Sequence, residues 1–178
     1  MNKLILALMI AVGLTACGKS ETKPVVQAKV ESPKPNWSTG QNVDKMDGTV
    51  EKWAMIDSTN KISMKFPYQG GSSASIIVFD NKHVKIFISK GQVMCSNYSG
   101  CKVRIKFDDE KPSTFSAVGP DNGQSNYVFL TGGQYSDGSA SRFIKKLATA
   151  NKVLIEMEIY QEHWPVWEFE VSGFNSTK

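Results

Sequence analysis

Two stretches near the C-terminus, NKVLIEMEIY (151–160) and VWEFEVSGF (166–174), alternate apolar and polar residues with few interruptions. Successive side chains of an extended chain point to opposite faces, so a period of two marks a strand with one face in a core and the other in water. Between them QEHWP (161–165) supplies the turn. Pairing Tyr160 with Val166 sets Ile159, Met157 and Ile155 against Trp167, Phe169 and Val171 on a core face. The opposite face then holds Glu158 across from Glu168 and Glu156 across from Glu170. Like charges directly opposite one another destabilise a strand pair. A basic neighbour such as Lys102, Arg104 and Lys106 is therefore expected to balance a solvated acidic face, with a bound cation or a partner as the alternative. A one-residue slip would bury the acids and is excluded on that ground.

The same period recurs upstream. KVRIKF (102–107) places Val103, Ile105 and Phe107 on one face and Lys102, Arg104 and Lys106 on the other. Segments 49–56, 60–66, 74–79, 83–89, 113–118 and 126–130 are rich in β-branched or aromatic residues and lie between turn clusters such as Gly70-Gly71 and Asp80-Asn81. GGQYSDGSA (132–140) reads as a loop. One helix is expected, roughly 140–150, with Phe143, Ile144 and Leu147 as its apolar stripe, Ser139 or Ser141 as its cap and Asn151 at its end. The expected fold is mainly β (α+β): a β-sandwich-like domain over 42–178 with one amphipathic helix before the C-terminal hairpin.

The N-terminus bears on location. GLTACGKS (13–20) satisfies the phosphate-loop pattern G-x-x-x-x-G-K-[ST] at Gly13, Gly18, Lys19 and Ser20. That motif works only where a buried strand ends and a helix begins directly after it. Here it follows Lys3 and the run LILALMIAVGL, the layout of a secretory signal. The run is shorter than the roughly 20 residues of a membrane-spanning helix. Downstream come Pro24, Pro33 and Pro35 with no helical period. Neither flank suits a nucleotide fold, and no nucleotide is expected. Leu14-Thr15-Ala16-Cys17 instead resembles the lipobox of bacterial lipoproteins. The resemblance implies cleavage after residue 16, a covalent lipid (palmitate and diacylglycerol) on Cys17, and residence in the cell envelope. Gly18, where Asp would mark retention, resembles lipoproteins sorted to the outer membrane and facing the periplasm. Residues 17–41 are expected to be a tether, reaching roughly 25–30 Å as flexible coil.

Loss of residues 1–16 removes Lys3 and no acid, so the formal charge falls from +4 to +3. That is too mild for nucleic acid, which calls for a clustered basic face. With Cys17 lipidated, the remaining cysteines are Cys95 and Cys101, and an oxidising compartment makes a disulfide their default state. Asn97, Ser99 and Gly100 are turn formers that let the chain reverse between them. A loop this short contributes on the order of 2 kcal/mol. The rival, a redox or zinc pair, fails on the C-x5-C spacing and on the missing second Cys/His pair.

No catalytic constellation emerges, and neither enzyme activity, cofactor nor metal is expected. His83 and His163 are far apart in the chain, no G-x-S-x-G elbow occurs, and Ser58/Lys61 and Ser99/Lys102 match S-x-x-K without its companion motifs. Asp108-Asp109-Glu110 reads as an acidic turn that lacks the calcium-loop ladder. Tyr98, His163 and Trp164 are the candidate partner-binding residues, because bulky rings in turns often anchor partners. Packing back onto the domain is their alternative role.

Phe143-Ile144-Lys145-Lys146-Leu147, the apolar strand ending near Tyr160, and Glu168-Phe169-Glu170-Val171-Ser172-Gly173-Phe174 resemble the end of type VI secretion accessory (TagO/VasI-like) proteins and related prophage lipoproteins. An upstream cysteine pair also fits. Glu170 stands where aspartate is common, and His163-Trp164-Pro165 is peculiar to this chain. The resemblance implies a non-catalytic accessory or protein-binding role in the envelope. An inhibitor of a lysozyme-type hydrolase and a small-ligand-binding lipoprotein are the alternatives. Labelling with radioactive palmitate should mark the chain, and Cys17→Ala should remove the label and release the protein from membranes; a labelled Cys17→Ala chain would overturn the lipobox assignment.

Overall fold

A computed structural model describes residues 37–131 and 137–175; the signal segment, Cys17 and most of the expected tether lie outside them. Eleven strands and one helix follow one another as β1 (Ser38–Val43), β2 (Val50–Asp57), β3 (Ile62–Met64), β4 (Gly70–Ser72), β5 (Ala74–Phe79), β6 (His83–Ile88), β7 (Cys101–Phe107), β8 (Ser113–Val118), β9 (Tyr127–Leu130), α1 (Ser139–Leu147), β10 (Lys152–Glu156) and β11 (Val166–Glu170). Nine strands form one antiparallel sheet in the order β1-β2-β5-β6-β9-β8-β7-β10-β11, and β3 and β4 pair separately. Among the described residues the fold is therefore mainly β with a single helix, as the alternation predicts. β1 begins at Ser38, inside the stretch read as tether. Its sequence, STGQNV, is polar and has no buried side chain of its own, so nothing in its pattern announces a strand. It is held through pairing with β2, from Ser38 opposite Met55 to Val43 opposite Val50.

The sheet coils until its ends meet. Just beyond β2, the Thr59 N–H donates to the Glu168 carbonyl in β11 (2.8 Å), and Asn60 both accepts from the Glu168 N–H (2.9 Å) and donates to the Val166 carbonyl (3.0 Å). Ahead of β1, the Trp37 indole donates to the Val171 carbonyl (3.0 Å) and its ring packs on Phe174 at 4.8 Å. Apart from β1, alternate residues of the long strands then face one shared interior. Ile56 pairs with Ile76, Ile76 with Ile86 and Ile86 with Val128; on the other side Ile105 pairs with Ile155 and Ile155 with Trp167. All of these side chains are buried. The helix lies on the core through Phe143, whose ring is 5.5 Å from Phe107 and 6.2 Å from Phe115.

The C-terminal hairpin departs from the expected register. Glu156 pairs with Val166, Leu154 with Glu168 and Lys152 with Glu170, four residues away from the Tyr160–Val166 alignment. The cause is a competitor for the strand's end. Residues beyond Glu156 leave β11 and join the segment before Cys95: Met94 N–H donates to Glu158 carbonyl, Tyr160 N–H donates to Gln92 carbonyl, and Val93 bridges Ile159. Gln161 and His163, at φ 63° and 61°, then reverse the chain. An even shift leaves each side chain on its original face, so Val153, Ile155, Trp167 and Phe169 stay buried. It also removes the opposed glutamates. Arg104 holds Glu156 at 2.5 Å, and Lys152 holds Glu168 at 2.6 Å, so the basic neighbour named above does take part through Arg104.

The helix ends also differ from expectation. Gly138, at φ 72°, occupies the cap position, and no side chain caps there. Ser139 is buried and its Oγ accepts the Ser116 N–H, while Ser141 Oγ donates to the Gly138 carbonyl. Ala148 closes the helix; Asn151 donates its N–H to Asp108 Oδ1 and accepts from the Val171 N–H. Because Trp167 is wholly buried and its indole donates to the Ser72 carbonyl (3.2 Å), Trp167→Ala is expected to cost about 3–5 kcal/mol in urea unfolding. Tyr160→Ala, at a half-exposed ring, should cost under about 1 kcal/mol.

Candidate functional site

The Cys95–Cys101 pair is bonded, with Cα atoms 5.0 Å apart. Inside the ring Ser96 bridges Gly100, and Ser96 Oγ accepts the N–H groups of Tyr98 (3.0 Å) and Ser99 (3.2 Å). The Ser96 carbonyl accepts from both Gly100 and Gly119, which ties the loop to the end of β8. Gly100 has φ 71°, and a Cβ there would lie 2.7 Å from the Ala117 carbonyl oxygen; one on Gly119 would lie 2.3 Å from the Cys95 oxygen. Both glycines are thus needed for the close approach.

This frame leaves the Tyr98 side chain 98% exposed. Of its two expected roles, packing back onto the domain is not what the structure does. Tyr98 borders a groove of about 940 Å³ whose walls include Asn97, Lys102, Ser116, Val118 and Thr131. Trp164 is 43% exposed and lines a different cavity, about 290 Å³, together with Met94, Met157 and Glu158. The two cavities share Gly100, Cys101 and Lys102, so the disulfide loop has one ring at each flank. His163 is exposed, outside both linings, and its carbonyl accepts the Ile159 N–H (2.8 Å). Its place is in the reversal of the chain, and the structure does not bring it to Tyr98.

Spacing could not have revealed the polar network at the groove wall. Lys102 Nζ donates to Ser116 Oγ (2.7 Å), which in turn lies 2.7 Å from Asp137 Oδ2. Thr131 Oγ1 and the Ser139 N–H donate to Asp137 Oδ1 (3.1 and 3.0 Å). Hydrogen bonds from Ser139 and then Ser116 hold the Asp137 carboxyl well below the usual carboxylate range. Ser116 thus bridges an ammonium to a carboxylate, with its hydroxyl hydrogen directed at Asp137. That is a structural link that anchors the start of α1 to β7 and β8. Among the described residues no group of three or more His, Cys, Asp or Glu side chains is placed to hold a metal ion.

A third cavity, about 600 Å³, opens on the outer face of the sheet, with Phe79, Lys85, Val118 and Phe129 among its walls and Glu51 and His83 also bordering it. It shares Asn97, Val118 and Thr131 with the Tyr98 groove. A signal for it exists in the sequence: ASIIVF and YVFL lack the clean alternation of KVRIKF, so apolar residues must also lie on the outer face.

A depressed carboxyl stabilises the fold above its unfolded value near pH 4 and loses that contribution as pH falls through its folded value. Asp137→Asn should therefore be less stable than the parent at pH 7, with the gap narrowing in unfolding curves taken toward pH 3 and below. A gap independent of pH would show that the charge of Asp137 is not what matters. No family model matches the chain, and searches of curated proteins and of solved structures return no similar one.

Proposed function

We propose that the chain is a lipid-anchored envelope lipoprotein whose β domain serves as a non-catalytic protein-binding module, with the 95–101 loop as its contact element. The carrying observation is Tyr98: a ring 98% in solvent at the tip of a loop closed by a disulfide and tied to β8. Exposing a large ring in water costs free energy that a partner's pocket would recover. Fixing the loop beforehand lowers the ordering cost of binding. Met94 and Trp164, both partly exposed on the far flank, extend the apolar contact. The lipobox resemblance at Cys17 supplies the address, the outer membrane facing the periplasm, and the tether sets the domain's reach.

The second reading is an inhibitor of a periplasmic or incoming lysozyme-type hydrolase. A single protruding ring on a rigid loop has the shape of a wedge for a substrate cleft. The two readings are separated by one set of experiments. A photo-crosslinking amino acid at position 98 in intact cells should give one discrete adduct, while the same group at exposed Lys111 should give none. Indistinguishable adduct patterns from the two positions would overturn the contact role of Tyr98. The inhibitor reading instead requires the purified chain to slow lysozyme on cell walls, and Tyr98→Ala to abolish that effect.

A further inference from the structure

We propose that the outer face of the sheet binds a small anionic amphiphile: an apolar body ending in one carboxylate or phosphate group. This site lies on β6, β9 and β8 and does not rest on the partner-binding reading of Tyr98. Solvent-facing sides of strands are normally polar. Here, however, the outer row runs Ile77, Lys85, Phe129 and Val118, placed side by side by the pairing of four strands. Three apolar residues and a single ammonium make up that row. Lys85, Phe129 and Val118 of that row, together with Phe79, line the cavity of about 600 Å³, a size common for small-ligand sites.

The ammonium sets the sign of the ligand. Lys85 Nζ is held 3.9 Å from the Tyr127 ring centroid and 5.9 Å from that of Phe87, so the ammonium lies against two rings of its own strand and the neighbouring β9. Partial burial lowers its affinity for the proton. Lys65, Arg104, Lys146 and Lys152 form ion pairs, and among the described residues none engages Lys85 or Lys102. Lys102 lines the adjoining groove, Glu51 is among the described residues the one carboxylate lining either cavity, and Asp137 is already held by Ser116, Thr131 and Ser139. An anionic head on Lys85 regains the charge partner that its position denies it. The body then covers Phe129, Val118 and Phe79. Three strand spacings of about 4.8 Å give such a body roughly 14 Å of floor from β5 to β8.

Titration of the full-length chain carrying Cys17→Ser, which removes any attached acyl group as a competitor, tests this by amide NMR. Decanoate and decyl phosphate are the two anionic probes, and decanol is the neutral control. Both anions should give saturable shifts confined to 79–85, 97, 118 and 129–131, and decanol should bind about tenfold more weakly. A preference for one anion assigns the head as carboxylate or phosphate. Lys85→Met should bring the anions down to the affinity of decanol. Shifts that fail to saturate, that scatter over the surface, or that are equal for decanol and decanoate on the unsubstituted chain would overturn the proposal. Retention of the anion preference in Lys85→Met would overturn the role of Lys85.

Discussion

Closure of the sheet at β11 is the contact on which the rest of the domain depends. Trp167 is buried in the interior and its indole reaches the Ser72 carbonyl, while Thr59 and Asn60 take the exposed side of the same strand. Without these links the nine strands would form an open sheet with one long apolar face. With them that face becomes an interior shared by two halves of one sheet, which is how a single sheet supplies the two layers of a sandwich-like core. Burying apolar area is the dominant favourable term, and here most of it is collected by one folding-over. Ser72 is itself fully satisfied, since its Oγ donates to the Lys90 carbonyl (2.7 Å), so the closing bond leaves no buried polar group unpaired.

Closure also explains where the chain can afford irregular features. The disulfide loop leads into β7, the 157–165 reversal joins β10 to β11, and Asp137 stands just before α1, so all three lie outside the ladder. Each is held by named bonds: the disulfide, the Met94–Glu158 and Tyr160–Gln92 backbone pairs, and the three donors to Asp137. A loop fixed in this way can carry an exposed Tyr98 without dragging apolar core residues into water. The same scaffold gives the outer-face cavity its second wall, because Asn97 of the loop borders it.

The strands most legible in the sequence are those with strict alternation. KVRIKF buries Val103, Ile105 and Phe107 as its pattern says, and VWEFE buries Trp167 and Phe169. The cysteine pair was legible as well, from the turn formers between its members. β1 was not, because a polar edge strand draws its stability from β2 and not from its own residues. The helix is legible from its apolar stripe, but its caps are not. Ser139 is an N-cap residue by type, yet its hydroxyl is buried against β8, a contact no local pattern encodes.

The register of the last hairpin marks the boundary between the two kinds of information. Which residues face inward is a property of residue order alone, because the period of two is intrinsic to an extended chain. For that reason a four-residue shift in pairing leaves Ile155, Met157, Ile159, Trp167, Phe169 and Val171 all buried. Which residues lie opposite one another depends on a competition between distant segments: 92–94 captures 158–160, and Arg104 and Lys152 then take up the glutamates. The sequence by itself determined the alternating strands and their inward faces, the helix and the cysteine pair, but not the polar β1 or β4, whose Gly70-Gly71 reads as a turn and instead pairs with β3. Only the tertiary structure decided the register, the exposure of Tyr98 and the outer-face cavity around Lys85, because each depends on which strands become neighbours.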